Sequence, residues 1–222
     1  MNRLIAIVAV LIVLAGGGYW WVTQQATETS SEAEPAATAT DAKTAQDFGL
    51  TEMAIGNPDA TVEVIEYASF TCPHCANAHA NLIPQLKKNY IDTGKIYFVY
   101  REVFFDKYGM WASLIARCGG EQKYFGIADL IYKGQAEWVR AGSDAAIADE
   151  LRKIGRLAGI NAEQLDACMN DSEKLQNLVS WYQGNATADG IESTPSFVIN
   201  GTKYSNMSYA DFSALLDEKL AE

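Results

Sequence analysis

Positive charge is in short supply in this chain. Its 17 Lys and Arg stand against 28 Asp and Glu, a formal net charge of −11. A nucleic-acid partner needs Lys and Arg clustered against phosphate, so this balance argues against one; its plain meaning is solubility. Histidine is scarcer still, with His74 and His79 alone. Cysteine occurs four times and forms a single C-x-x-C, because Cys118 and Cys168 have no partner at that spacing. A structural zinc site wants four Cys or His ligands, and few are on offer. No internal repeat is present. Residues 23–47 hold almost no large apolar side chain; Ala, Thr, Glu and Ser dominate there. Such a stretch cannot form a core and is expected to be a disordered tether.

What is present begins with an apolar run. Leu4 to Val22 contains no charge and ends in Tyr19-Trp20-Trp21. Nineteen residues are about enough to span a bilayer as a helix, and the aromatic residues suit its interface. Arg3 and the amino terminus precede the run, while the first charge after it is Glu28. The positive-inside rule then keeps the N-terminus in the cytoplasm and exports the rest. A cleaved signal peptide is the rival reading. The run is long for one and no A-x-A site follows directly, so residues 1–22 are read as an uncleaved anchor. Either way the domain, residues 48–222, is exported to a compartment where disulfides persist.

Phe70-Thr71-Cys72-Pro73-His74-Cys75 lies between a strand-like run, 62–67, and a helix-like run. Pro73 fits the first helical position, where its missing N–H costs nothing. Cys72 is then the N-cap, facing unpaired backbone N–H groups and the positive end of the helix dipole. That environment favours a thiolate. A stabilised thiolate leaves readily, so a Cys72–Cys75 disulfide is expected to oxidise other thiols. His74 adds a donor and, when protonated, a positive charge. By period two, Glu66 shares a strand face with Val62 and Val64. It is either a partly buried acid near the sulfurs, able to take a proton from Cys75, or a solvated strand-end glutamate. His79, one turn beyond Cys75, reads as an ordinary packing or surface histidine.

Farther on, Pro84 is expected to kink or split the first helix. Lys95–Arg101 reads as the next strand, which puts the cysteines at the carboxyl end of a sheet strand, where α/β sites lie. From about 108 to 184 the pattern is helical, with caps at Ser143 and Asn161 and a further helix beginning at Ser172. Cys118 and Cys168 fall within this block. In an exported chain they are read as a structural disulfide rather than two separate buried thiols. Closing such a loop is worth about 4 kcal/mol in the chain-entropy picture. Strands return at Pro195–Ile199 and Thr202–Tyr204, joined by Asn200-Gly201 as a type I′ hairpin. The Thr194-Pro195 bond itself is trans by base rate, since about 5–6% of X-Pro bonds are cis.

Glu66-Tyr67-Ala68-Ser69-Phe70-Thr71-Cys72-Pro73-His74-Cys75, the helical block and Ser193-Thr194-Pro195-Ser196-Phe197-Val198-Ile199-Asn200-Gly201 together resemble the DsbA group of thioredoxin-fold proteins. The resemblance covers about Thr51 to the C-terminus. It implies an α/β thioredoxin-like fold with an inserted helical domain, after the anchor and tether. It implies that Cys72 is the exposed nucleophile, Cys75 the buried resolving cysteine, Pro73 and His74 the tuning dipeptide, and Glu66 the buried acid. Pro195 matches the family's cis-proline, beside which the Thr194 backbone binds an extended client by strand addition.

The activity implied is that of a thiol–disulfide oxidase without cofactor, tethered to a bacterial inner membrane and facing the periplasm. Its partners would be reduced, unfolded exported proteins and a DsbB-like membrane reoxidant. Two departures stand out. Thr194 resembles isomerases and reductases more than the best-known oxidases, which carry an apolar residue there, and Cys118 with Cys168 is extra. Dimeric isomerases carry an N-terminal dimerisation domain for which the tether is too short and polar, so a monomeric oxidase is preferred. An isomerase or reductase on the same scaffold is the alternative, and a module holding copper or zinc through Cys72, Cys75 and a histidine is the third reading.

Overall fold

The computed structural model describes residues 43–222. The expected anchor, 1–22, and all but the last residues of the expected tether lie outside the described residues. No helix among the described residues is long and apolar enough to cross a membrane. The end of the tether is not free chain: Ala45–Phe48 forms a 3-10 turn whose Ala45 is buried beside Leu50, Leu114 and Trp181. The apolar side chains of Ala45 and Phe48 draw it onto the domain, so the expected boundary at 47 falls inside an ordered element.

Five strands form one sheet in the order β1-β3-β2-β4-β5. They are β1 (Met53–Gly56), β2 (Val62–Ala68), β3 (Ile96–Glu102), β4 (Ser196–Ile199) and β5 (Thr202–Ser205). β2 runs parallel to β3 and antiparallel to β4, with Glu66 opposite Tyr100 on one side and Phe197 on the other. β1, which the sequence reading did not assign, pairs antiparallel with the outer side of β3. The hairpin at Asn200-Gly201 has both residues at positive φ, 45° and 79°, as a type I′ turn requires. This is the thioredoxin-like layout that the resemblance implies.

Alternation divides the two faces. Val62, Val64 and Ala68 of β2 join the main core with Phe98, Tyr100, Phe197 and Ile199. Ile65 and Tyr67 point to the other face, with Val99, Val103 and Val198. Glu66 falls on the main-core side and is fully buried there.

Helix α1 (Pro73–Asn81) stops at Leu82, and α2 (Ile83–Leu86) carries Pro84 near its start. The break expected at Pro84 therefore falls just before it, where the proline can sit in a first helical turn. A π-type turn, Lys87–Ile91, then leads to Gly94, whose φ of 71° turns the chain into β3.

The insertion comprises α3 (Lys107–Cys118), α4 (Glu121–Lys133), α5 (Gln135–Trp138), α6 (Asp144–Leu157) and α7 (Ala162–Met169). α8 (Ser172–Ala188) returns the chain to the sheet and α9 (Tyr209–Lys219) closes it. Cys118 and Cys168 are joined by a disulfide between α3 and α7, across 50 residues. α6 and α7 also meet closely at Gly155, where a Cβ would lie 2.3 Å from Leu165 Cδ2. The insertion is tied to the sheet by a buried ion pair. Arg117 donates from Nε and Nη2 to the two Glu102 oxygens, each at 2.7 Å, and Tyr124 adds a hydrogen bond at 2.9 Å. A buried pair with its remaining hydrogen bonds satisfied avoids the penalty of an isolated charge.

Candidate active site

The segment leaving β2 turns sharply before α1. Cys72 N–H donates to the Ser69 carbonyl at 3.1 Å, and the Cys72 carbonyl accepts from Ala76 N–H at 3.1 Å. Cys72 thus stands at the N-cap in an extended conformation, with Pro73 at the first helical position as its sequence required. Pro73 and His74 are exposed on the rim. Cys75, one turn in, is completely buried, and Cys72 retains 9% exposure. The expected exposed nucleophile is therefore largely covered, with the Thr194 backbone beside it. Its Sγ lies 3.6 Å from the Thr194 carbonyl oxygen.

The Thr194–Pro195 peptide is cis, against the base-rate expectation and in line with the resemblance. β4 begins directly after it, next to β2. That pairing is what carries Thr194 and Pro195 to the cysteines.

Cys72 and Cys75 are unbonded thiols with opposite environments. The Cys75 thiol hydrogen-bonds to Cys72, which is the largest cause of a Cys72 pKa lowered from 9.0 to about 5. The Thr194 hydroxyl and the backbone N–H groups of Cys75 and His74 add to this, against the opposing effect of burial. The Thr194 hydroxyl is buried and has no hydrogen-bond partner, so it is free to turn toward a sulfur anion at Cys72. From sequence the cause lay in the helix start. The backbone donors there do contribute, without closing an ordinary capping hydrogen bond, but the neighbouring thiol ranks first. Cys75 is pushed strongly upward by that same hydrogen bond, then by burial and by the Glu66 carboxylate. One sulfur is thereby prepared as an anion and the other as a thiol.

Glu66 is where alternation placed it, fully buried and near enough for its charge to act on Cys75, so of its two readings the buried acid holds. His79 is more than a packing histidine. Its Nε2 meets Glu66 Oε2 at 3.0 Å and its ring stacks on Tyr132. The spacing from Cys75 was visible in sequence; the carboxylate it meets, on another element, was not.

Gln135 escaped the sequence reading entirely. Its Nε2 donates to the Phe70 carbonyl at 2.8 Å and to the Cys72 carbonyl at 2.9 Å, from a buried position on α5. Thr71 is fixed as well, donating to Asp106 Oδ2 at 2.8 Å, while Asp106 Oδ1 caps α3. The insertion thus holds the cysteine loop from two directions. No sequence signal links a glutamine to a loop more than sixty positions earlier.

Among the described residues, no group of three or more His, Cys, Asp or Glu side chains is arranged to hold a metal ion. His79, a candidate third ligand, is engaged with Glu66.

The family model described as Thioredoxin matches residues 49–218. A Rickettsia bellii protein bearing the name protein-disulfide oxidoreductase is 36% identical over 172 residues, covering 77% of this chain and 65% of its own length. The chain thus spans a little under two thirds of that relative. Disulfide bond formation protein D of Bacillus subtilis is 24% identical over 168 residues, covering 71% of each. Among solved structures, alpha-DsbA1 of Wolbachia pipientis superposes with a TM-score of 0.72 at 26% identity, covering 77% of this chain and 92% of the other.

Proposed function

Since the chain belongs to the thioredoxin family, in its DsbA-like group of protein-disulfide oxidoreductases, we propose that it donates the Cys72–Cys75 disulfide to reduced, folding proteins outside the cytoplasm. A client thiolate attacks Cys72 Sγ and the bond to Cys75 breaks. Cys75 takes the electron pair and then a proton, leaving a mixed disulfide on Cys72. A second client thiolate attacks the client sulfur of that bond. The client departs with its own disulfide, and Cys72 leaves as a thiolate.

The observation that carries this reading is the contrast between the sulfurs. Cys72 favours the anion, so it is a good leaving group and the reduced form is the stabilised one. The strand edge at Thr194 suits clients by backbone rather than by side chain, as strand addition requires. A DsbB-like membrane protein is the reoxidant in this scheme. The N-terminal apolar run holds the chain at a bacterial inner membrane with this domain in the periplasm, or is cleaved to leave it soluble there; the active form is a monomer.

Equilibration of the dithiol with glutathione tests the proposal. An oxidising potential, well above that of thioredoxin, is expected; one as reducing as thioredoxin's overturns it. A second reading, isomerase or reductase, draws on Thr194, whose hydroxyl sits where an apolar side chain would mark the commoner oxidases. Refolding of a scrambled multi-disulfide substrate separates the two, because an oxidase accelerates it little.

A further inference from the structure

Glu66 has no path to water of its own. It is fully buried, its Oε1 has no partner, and its Oε2 bonds to His79 Nε2 at 3.0 Å. The His79 side chain, 10% exposed, is where this buried acid meets solvent. The imidazole is clamped in place, stacked on Tyr132 at 4.0 Å between centroids and edge-on to Tyr100 at 5.8 Å. It is one helical turn beyond Cys75, on the same side of α1.

The ionisable groups facing this cluster come from β2 (Glu66), β3 (Tyr100), α4 (Tyr132) and α1 itself (Cys75). The two phenols bond to each other at 2.6 Å, and Tyr100 also approaches the Ala68 carbonyl. Burial pushes both well above the usual tyrosine range, so they keep their protons and do not compete for one in transit.

The geometry points to His79 as the positioning and proton-exchange residue for Glu66, the route by which a proton passes between solvent and Cys75. This inference rests on the oxidase reading. When the Cys72–Cys75 bond breaks, the electron pair goes to Cys75 Sγ and one proton must follow. The Glu66 carboxylate accepts it from His79 Nε2 and passes it to Cys75, and the partly exposed ring takes one back from water. Reoxidation runs the same transfers in reverse. The net exchange is one proton between solvent and Cys75.

The test is stopped-flow reaction of the oxidised full chain with reduced glutathione across pH 5 to 9, beside ultraviolet titration of Cys72. His79→Gln keeps a donor for Glu66 and cannot relay a proton. Loss of a placed proton carrier is expected to slow the reaction on the order of 100-fold and to flatten its pH profile. Added imidazole should restore the rate, while Cys72 still titrates near 5. Unchanged rate and profile in the variant, or a loss that imidazole does not restore, overturns the inference while leaving the oxidase reading intact. An ordinary Cys72 titration in the unsubstituted chain overturns that reading itself, and the inference with it. Should the variant not fold, the unsubstituted chain decides: its rate should be indifferent to imidazole, and a rate that climbs with imidazole concentration overturns the relay.

Discussion

Cys72 Sγ and the carbonyl oxygen of Thr194 lie 3.6 Å apart, although 122 positions separate the two residues. The β2–β4 pairing brings them together, and with the carbonyl comes a side-chain hydroxyl buried without a nitrogen or oxygen partner. In the proposed scheme the same residue offers backbone to a client, and its hydroxyl is free to serve the sulfur. Replacing Thr194 by Val keeps the shape and removes the donor. A hydrogen bond to a charged group is worth about 1.5–3 kcal/mol, so the Cys72 pKa should rise by about one unit or more. The chain should become less oxidising. Ultraviolet titration and glutathione equilibrium check both, and an unchanged pKa shows that the hydroxyl does not serve the thiolate.

The lowered Cys72 pKa also makes stability depend on pH in a direction that can be worked out. Its value in the folded, reduced chain is about 5, against 9.0 for the ordinary thiol. The anion stabilises the reduced fold fully above about pH 9, and this contribution is lost as pH falls through 5. Cys75, shifted the other way, remains a thiol across that window in folded and unfolded chains alike and adds nothing below pH 9. The oxidised chain has neither group. Urea unfolding should therefore find the reduced form the more stable at pH 7, with its advantage shrinking steadily toward pH 5. A difference independent of pH contradicts the assignment of the anion to Cys72.

How much of this was legible in the sequence follows the range of the interactions. Pro73 at the helix start, Glu66 on the core side of β2 and the Asn200-Gly201 turn are set by neighbours a few residues away, and all were readable. β1 was not, because Met53-Ala54-Ile55-Gly56 is short, lies at the sheet edge and carries little alternation. The cis geometry at Pro195 is decided by tertiary contacts, and only the family resemblance anticipated it. His79 and Gln135 act through partners on other elements. Their residue types fit a dozen bland roles until the fold places Glu66 or the Cys72 carbonyl beside them.

Removing the Cys118–Cys168 bond should separate stability from chemistry. A closed loop of 50 residues is worth about 4 kcal/mol in the chain-entropy picture, so the doubly substituted Cys118→Ala/Cys168→Ala chain should lose roughly 2–4 kcal/mol in denaturant. Neither cysteine is among the groups that shift Cys72, so the titration near 5 should be unmoved. A moved titration reveals coupling between insertion and site.

Gln135 offers the sharper test of how the insertion serves the chemistry. Its amide holds two carbonyls of the cysteine loop, those of Phe70 and Cys72, at 2.8 and 2.9 Å from inside the core. Truncation to Ala leaves the Phe70 carbonyl without this donor, at a cost of about 1–3 kcal/mol for a buried group left unsatisfied, and strips the Cys72 carbonyl of one of its two partners. The Cys72 carbonyl also accepts the first hydrogen bond of α1, from Ala76, so loosening it should let the helix start drift relative to Thr194. Two consequences are expected together: a lower unfolding midpoint, and slower exchange with glutathione as the sulfur loses its fixed approach. Gln135→Glu discriminates between position and mere packing. It fills the same space but turns the donor into an acceptor facing two carbonyls, so it should be at least as damaging as Ala. If instead the Glu variant exchanges thiols as fast as the unsubstituted chain, the amide is filling space, and the loop is held by Thr71 and Asp106 alone.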